Sequence, residues 1–274
     1  MDIKRHDINF INLRRKIIQY NEINFSKKEI TFKNKKFIYY SSPILCKNKF
    51  KHGFFTKSNS EKSPPILFRK NYQNCVLNQI HSNKIVFGSC TQKENKIEAD
   101  GIVSNQSNQS LWIYTADCMP ILFADKSKRF VAAIHCGRKG LEKKIINNLI
   151  KIFDKIGSSR DDLLVAIGPS ISKINYLVDK KTLKEFYNKV GNKGLTNSLK
   201  NANNIFNLKN LNISKDQNLI QLDLRKYAYI QFINENIPNT NIEISNICTY
   251  ETNNEFNSWR RSKTPLRQWN FICP

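Results

Sequence analysis

Few residues in this chain can do demanding chemistry: 274 residues contain four histidines and seven cysteines. His6 lies in a polar N-terminal stretch, whereas His52, His81 and His135 fall at the ends of predicted strands. Cys118 occupies a turn just before Met119 and Pro120, and His135 closes an apolar run that leads into Cys136-Gly137-Arg138-Lys139-Gly140. His81, Cys118 and His135 together offer two imidazoles and a thiolate, the ligand set of a catalytic zinc site whose fourth position stays open. Cys136 could complete a closed structural site, but as the strand neighbour of His135 it should point to the opposite face. A blue-copper centre would need a weak axial methionine, and Met119, adjacent to Cys118, is badly placed to reach the same ion. A multicopper centre needs far more imidazoles than the chain contains. The H-x-E and P-C-x-x-C pattern of zinc deaminases is absent. Without a metal, Cys118 could act as a nucleophile with His135 as its base.

Other groups could complete such a site. Asp100 and Asp117 precede small or ligating residues in turns, where they either take part in chemistry or form Asx-type bonds; Asp117 is the candidate proton carrier. Lys57, Arg260, Arg261 and Arg267 could clamp phosphate or another anion. The glycine-bracketed loop at 137–140 could cradle an anion where it opens a helix.

These residues need a frame. Apolar runs at 36–40, 50–56, 75–79, 111–115, 121–124, 130–134, 163–167 and 242–247 predict strands. The connections among the central three are of hairpin length, 125–129 being the clearest. Leu141, Ile145, Leu149, Ile152, Phe153 and Ile156 recur at helical spacing and predict one helix closed by Gly157. Asp179 and Asp223 are expected N-caps. Pro43 predicts a turn, and Pro64-Pro65 bars a helix from the loop at 58–65. At this length the chain could form one large domain or two modest ones, and it shows neither an internal repeat nor a clear interdomain linker. Residues 1–40 read as an N-terminal extension with a weak helix around Phe10, Ile11, Ile17 and Ile18, and the Asn- and Lys-rich 191–218 as an insertion.

Whole-chain features narrow the function classes. The net charge of +23 is spread along the chain instead of forming a dense block, and no zinc-finger, basic-zipper or RNA-recognition pattern accompanies it, so a basic nucleic-acid-binding module is the lesser alternative. The cysteines show no CxxC pair, which favours a reducing cytoplasm over a disulfide framework. No signal-peptide core and no apolar run of membrane-spanning length is present. A soluble intracellular protein, monomer or homodimer, is expected.

Several short motifs occur in a fixed order: His52-Gly53-Phe54-Phe55-Thr56-Lys57, Asn78-Gln79-Ile80-His81, Ala99-Asp100-Gly101, Thr115-Ala116-Asp117-Cys118-Met119-Pro120, Ala133-Ile134-His135-Cys136-Gly137, Gly168-Pro169-Ser170-Ile171, Cys248-Thr249, and Ser258-Trp259-Arg260-Arg261 with Leu266-Arg267-Gln268. In this order they resemble the YfiH-type proteins, also labelled laccase-domain proteins, multicopper polyphenol oxidases or peptidoglycan editing factors. The resemblance covers about residues 50–274. It implies an α/β (α+β) fold, a single YfiH-like catalytic domain over 41–274 with mixed sheets flanked by helices, zinc on His81, Cys118 and His135 with copper as the alternative, and purine nucleoside chemistry: phosphorolysis of adenosine, inosine, guanosine or methylthioadenosine, and adenosine deamination. Asp117, Cys118 and His135 would be catalytic, while Lys57, Arg260 and Arg267 would hold phosphate. The family's other labels imply two rivals, a cysteine- or metal-dependent hydrolase editing cell-wall precursors and a copper-dependent polyphenol oxidase. The chain departs from the family's H-A-G-W-R-G at Arg138 and Lys139, where the tryptophan is lost, and has Lys57 in place of an arginine, which keeps charge but loses the bidentate fork.

Overall fold

A computed structural model describes residues 20–32, 34–59, 72–91, 97–190 and 219–274. The expected helix around Phe10 to Ile18, the Pro64-Pro65 loop and the insertion at 191–218 lie outside these residues.

The layers follow from strands that are apolar on both faces. One sheet runs in the order β1 (Glu22–Ile23), β14 (Ile242–Ser245), β11 (Leu163–Ile167), β9 (Met119–Asp125), β10 (Val131–Cys136), β7 (Gly101–Ser104) and β6 (Ile85–Phe87). Every residue of β9, β10 and β11 is buried, which requires cover on both sides. Alternate side chains divide between the two. Ile121, Phe123, Ala132, Ile134, Val165 and Ile167 pack under helices, while Leu122, Ala124, Val131, Ala133, Leu164 and Ala166 pack against a second sheet. That sheet has the order β2 (Ser26–Phe32), β3 (Lys35–Ser41), β4 (His52–Phe55), β15 (Gln268–Ile272), β8 (Gln109–Thr115) and β5 (Gln73–Val76). Its outer face carries an aromatic cluster of Phe37, Phe55, Trp112, Trp269 and Phe271. A small ribbon, β12 (Leu177–Asp179) with β13 (Leu219–Gln221), stands apart from both sheets. The α+β architecture with mixed sheets is the expected one.

The α-helices among the described residues are α1 (Pro43–Lys47), α2 (Arg138–Glu142), α3 (Ile145–Ile156), α4 (Lys180–Val190), α5 (Leu224–Asn234) and α6 (Trp259–Ser262). The caps expected of Asp179 and Asp223 are present, accepting from the backbone N–H of Thr182 and Lys226. Gly157 closes α3 at φ 75°. None of the helices among the described residues is long and apolar enough to cross a membrane.

Four expectations are corrected. The single helix expected from Leu141 is two: α2 ends, Lys144 turns left-handed at φ 62°, and α3 begins. Leu141 and Ile145 stay in one core cluster across the break, so the apolar period runs through it unchanged. Pro43 opens a short helix instead of a turn, with Ser42 as its N-cap, a position that suits a residue lacking an N–H. The connection between β8 and β9 is no hairpin, because the two strands belong to different sheets and residues 116–118 cross between them. Among the described residues, the segment from 22 to 40 is no mere extension, since β2 and β3 pair along their whole length and β1 pairs with β14. Its Lys-rich edge strand SKKEITF disguises it as polar chain, the charge pattern that keeps an open edge from further pairing.

Candidate metal centre

The expected ligands meet at one end of the first sheet. In register, His135 faces Pro120 across β10 and β9, and Ile134 faces Gly101 across β10 and β7. Cys118 immediately precedes β9, Asp100 immediately precedes β7, and His135 lies near the end of β10, so three neighbouring strands deliver these residues to one point. His81 arrives from the segment between β5 and β6. The ligand atoms of His81, Cys118 and His135 all lie within 4.8 Å of one another, and the two imidazole rings meet edge to face with centroids 4.8 Å apart. His135 is buried, Cys118 half-buried and His81 exposed, so the cluster opens toward solvent on one side. The donor set, its spacing and this open side fit a metal ion with a free coordination position. Cys136 points the other way, into the helix-side core, and Met119 is buried in that same core.

Close packing shapes the thiol's surroundings. A Cβ on Gly137 would stand 2.4 Å from Cys118 Sγ, so the loop after His135 reaches the sulfur only because residue 137 has no side chain. Burial raises the Cys118 thiol, but the His135 and His81 imidazoles outweigh it and bring it to about 6. Burial disfavours charge on His135, yet the Cys118 sulfur and the Asp100 carboxylate raise it to about 9.

Two buried aspartates flank the cluster. Asp100 accepts from His135 Nδ1 at 2.8 Å and from the backbone N–H of His81 at 3.0 Å. Burial pushes its carboxyl up, but His135 and Ser82 hold it at about 2. Asp117, at φ 84°, accepts from Thr249 Oγ1 at 2.8 Å, Ser258 Oγ at 3.0 Å and the Arg260 backbone N–H at 2.7 Å. Both of its oxygens accept from the C-terminal segment, so this carboxylate fastens that segment beside Cys118.

The expected phosphate ligands bond to different carbonyls. Arg260 lies near the centre, its Nη1 donating to Leu177 O at 2.7 Å and its guanidinium 4.8 Å from the Tyr176 ring. Lys57 donates to Asn253 O at 2.7 Å in a neighbouring turn. Arg267 is bound by carbonyls of its own turn, Thr264 and Leu266, and lies over Trp259. None of these contacts brings Lys57 or Arg267 to the ligand cluster. Arg261 ties Thr249, Tyr250 and Phe256 together through their carbonyls. Arg138, not among the expected phosphate ligands, pairs with Glu142. The sequence signal for it was its place next to Gly137, in the loop that leaves the ligand strand.

A family model described as "Multi-copper polyphenol oxidoreductase laccase" matches residues 59–273. The chain is 31% identical over 177 residues to a purine nucleoside phosphorylase of Synechocystis, covering 64% of this chain and 67% of the relative. It is 32% identical over 200 residues to one of Clostridium acetobutylicum, covering 72% of this chain and 75% of the relative. The fold is similar to YlmD from Geobacillus stearothermophilus, with a TM-score of 0.70 at 19% identity over 90% of this chain and 99% of that one. It is also similar to YfiH from Bacillus licheniformis, at 0.68 and 21% identity over 86% and 96%.

Proposed function

The chain belongs to the multi-copper polyphenol oxidoreductase laccase family, and from that premise we propose that it is a cytoplasmic, zinc-dependent purine nucleoside phosphorylase that also deaminates adenosine. The observation that carries the reading is the convergence of His81, Cys118 and His135 on a point open to solvent on one side. Relatives named purine nucleoside phosphorylase supply the substrate class. Zinc is favoured over copper because Met119 is buried in the helix-side core and leaves no axial thioether.

When bound, zinc supplies Lewis-acid charge that polarises an oxygen or activates water. The chain's own residues set the stage for it. Asp100 takes the proton side of the His135 ring, so Nε2 would be the nitrogen that holds the ion. The exposed His81 borders the side from which a nucleoside enters. Arg260, fastened by Asp117, holds phosphate for attack at the ribosyl C1′, so that the base leaves and ribose 1-phosphate forms. Lys57 and Arg267 draw phosphate toward the site from farther out. Adenosine, inosine, guanosine and methylthioadenosine are the candidate substrates.

Purified protein incubated with adenosine and phosphate should release adenine, with inosine from the deamination branch, and His81→Ala should abolish both. Absence of product above a metal-stripped control would refute the reading. The closeness of Cys118 to His135 favours one rival, a hydrolase with a cysteine nucleophile acting on cell-wall precursors. Thiol labelling of metal-loaded protein separates the two, because a coordinated thiolate is protected and a free nucleophile reacts.

A further inference from the structure

We infer that Asp100 is the positioning residue that builds the metal centre, one carboxylate holding both histidines in their coordinating posture. This inference rests on the metal reading above but not on the nucleoside reaction.

Asp100 is fully buried and meets His135 twice. Its carbonyl accepts from the His135 backbone N–H at 2.8 Å, and its Oδ1 accepts from Nδ1 of the same residue at 2.8 Å. An ionised carboxylate can only accept, so Nδ1 carries the proton and the lone pair on Nε2 is left for the ion. The main-chain bond fixes where the ring begins, and the side-chain bond fixes which nitrogen it presents.

The same carboxylate also fixes His81, from the other side of the site. It accepts from three successive backbone N–H groups, those of Ile80 at 3.3 Å, His81 at 3.0 Å and Ser82 at 2.5 Å, and from Ser82 Oγ at 2.7 Å. His81 is left-handed at φ 57°, and successive N–H groups around such a residue form a concave anion nest. A left-handed backbone is unfavourable for a non-glycine residue, and hydrogen bonds to a charged group are stronger than neutral ones, so the nest outweighs the strain only while a carboxylate fills it. A ligand on an exposed segment is thereby tied to a ligand on a buried strand.

Asp100→Asn keeps the shape and removes the chemistry, because an amide nitrogen must face either the donors on Oδ1 or those on Oδ2. Cobalt(II) is the probe, since its d–d and thiolate charge-transfer bands report coordination independently of activity. Chelator competition should show the cobalt Kd of Asp100→Asn raised by roughly 10- to 100-fold, with weakened tetrahedral bands. A Kd within twofold of the parent together with an unchanged spectrum would overturn the inference. Should Asp100→Asn fail to fold, Ser82→Ala decides, because it deletes one bond to Oδ2 and no ligand. A Kd raised by roughly two- to fivefold supports the inference, as loss of one hydrogen bond predicts, and an unchanged Kd overturns it. His81→Ala keeps the two readings apart: if it binds cobalt as the parent does, the three-ligand centre itself fails, whatever Asp100→Asn shows.

Discussion

The backbone N–H of Arg260 donates to Asp117 Oδ2 at 2.7 Å, joining the residue before one candidate ligand to a candidate phosphate-binding arginine. Ser258, the N-cap of α6, donates to the same oxygen. The start of this short helix is therefore set from the crossing between the two sheets, and the Arg260 side chain departs from a fixed point. Asp117→Asn replaces one acceptor with a donor and should destabilise the fold by about 1–3 kcal/mol. It should also raise the KM for phosphate while leaving the metal content near the parental value. Phosphate-dependent kinetics with parallel metal analysis checks this, and an unchanged phosphate KM would detach Arg260 from the anion site.

Gly137 offers a steric test of the thiolate. Its backbone, at φ −94° and ψ −169°, is open to any residue, so the penalty in Gly137→Ala comes from the methyl group meeting Cys118 Sγ at 2.4 Å. Either the sulfur rotates away or the loop lifts. Overpacking of this kind costs about 1–3 kcal/mol, and a ligand displaced by half a bond length no longer coordinates well. The variant should purify with much less metal per chain than the parent. Full metal content with a parental melting temperature would show that the loop yields freely.

The ligand cluster was legible because histidine is scarce here and the ligands sit at strand ends, where a short-range pattern is enough to place them. The roles of Asp100 and Asp117 were not. Asp100 gains its partners from residues 19 and 35 positions away, and Asp117 from residues 132 to 143 positions away, which no local pattern carries. Strands β9, β10, β11 and β14 were read correctly from their apolar runs, whereas the short β1, β6 and β7 were not expected as strands. The assignment of β8 and β9 to different sheets was hidden, because the three-residue crossing at 116–118 looks like a hairpin turn. Which cations serve the site was less legible: among 45 lysines and arginines, charge type alone says little about position.

The break between α2 and α3 predicts a stabilising substitution. Lys144 adopts φ 62° and ψ 45° at the junction, a conformation that costs a residue with a Cβ about 1–2 kcal/mol and glycine almost nothing. Glycine's extra freedom in the unfolded chain offsets part of that gain. Lys144→Gly should raise stability by about 0.5–1 kcal/mol. Denaturant unfolding at constant metal load measures it, and a loss of stability would mean that the lysine side chain supports the junction.

His52 should make stability fall with acid independently of the metal centre. Its ring lies between the two sheets, Nε2 accepting from the Ser42 backbone N–H at 2.8 Å and Nδ1 donating to Phe50 O at 2.9 Å, so the ring is neutral. Burial drives its pKa down from 6.5 to about 4, with Lys28 adding to the effect against the Phe50 bond. Between these values the unfolded chain binds a proton that the folded chain excludes. The contribution of His52 is therefore complete above pH 6.5, declines as the pH falls toward about 4, and is lost below it. Linkage puts its size at about 3 kcal/mol. Other carboxylates titrate near the lower end, so the test is a difference: unfolding of the parent and of His52→Asn across the window. The variant should be less stable at neutral pH and show a shallower decline. Parallel curves would mean that the His52 ring takes up its proton without leaving the fold.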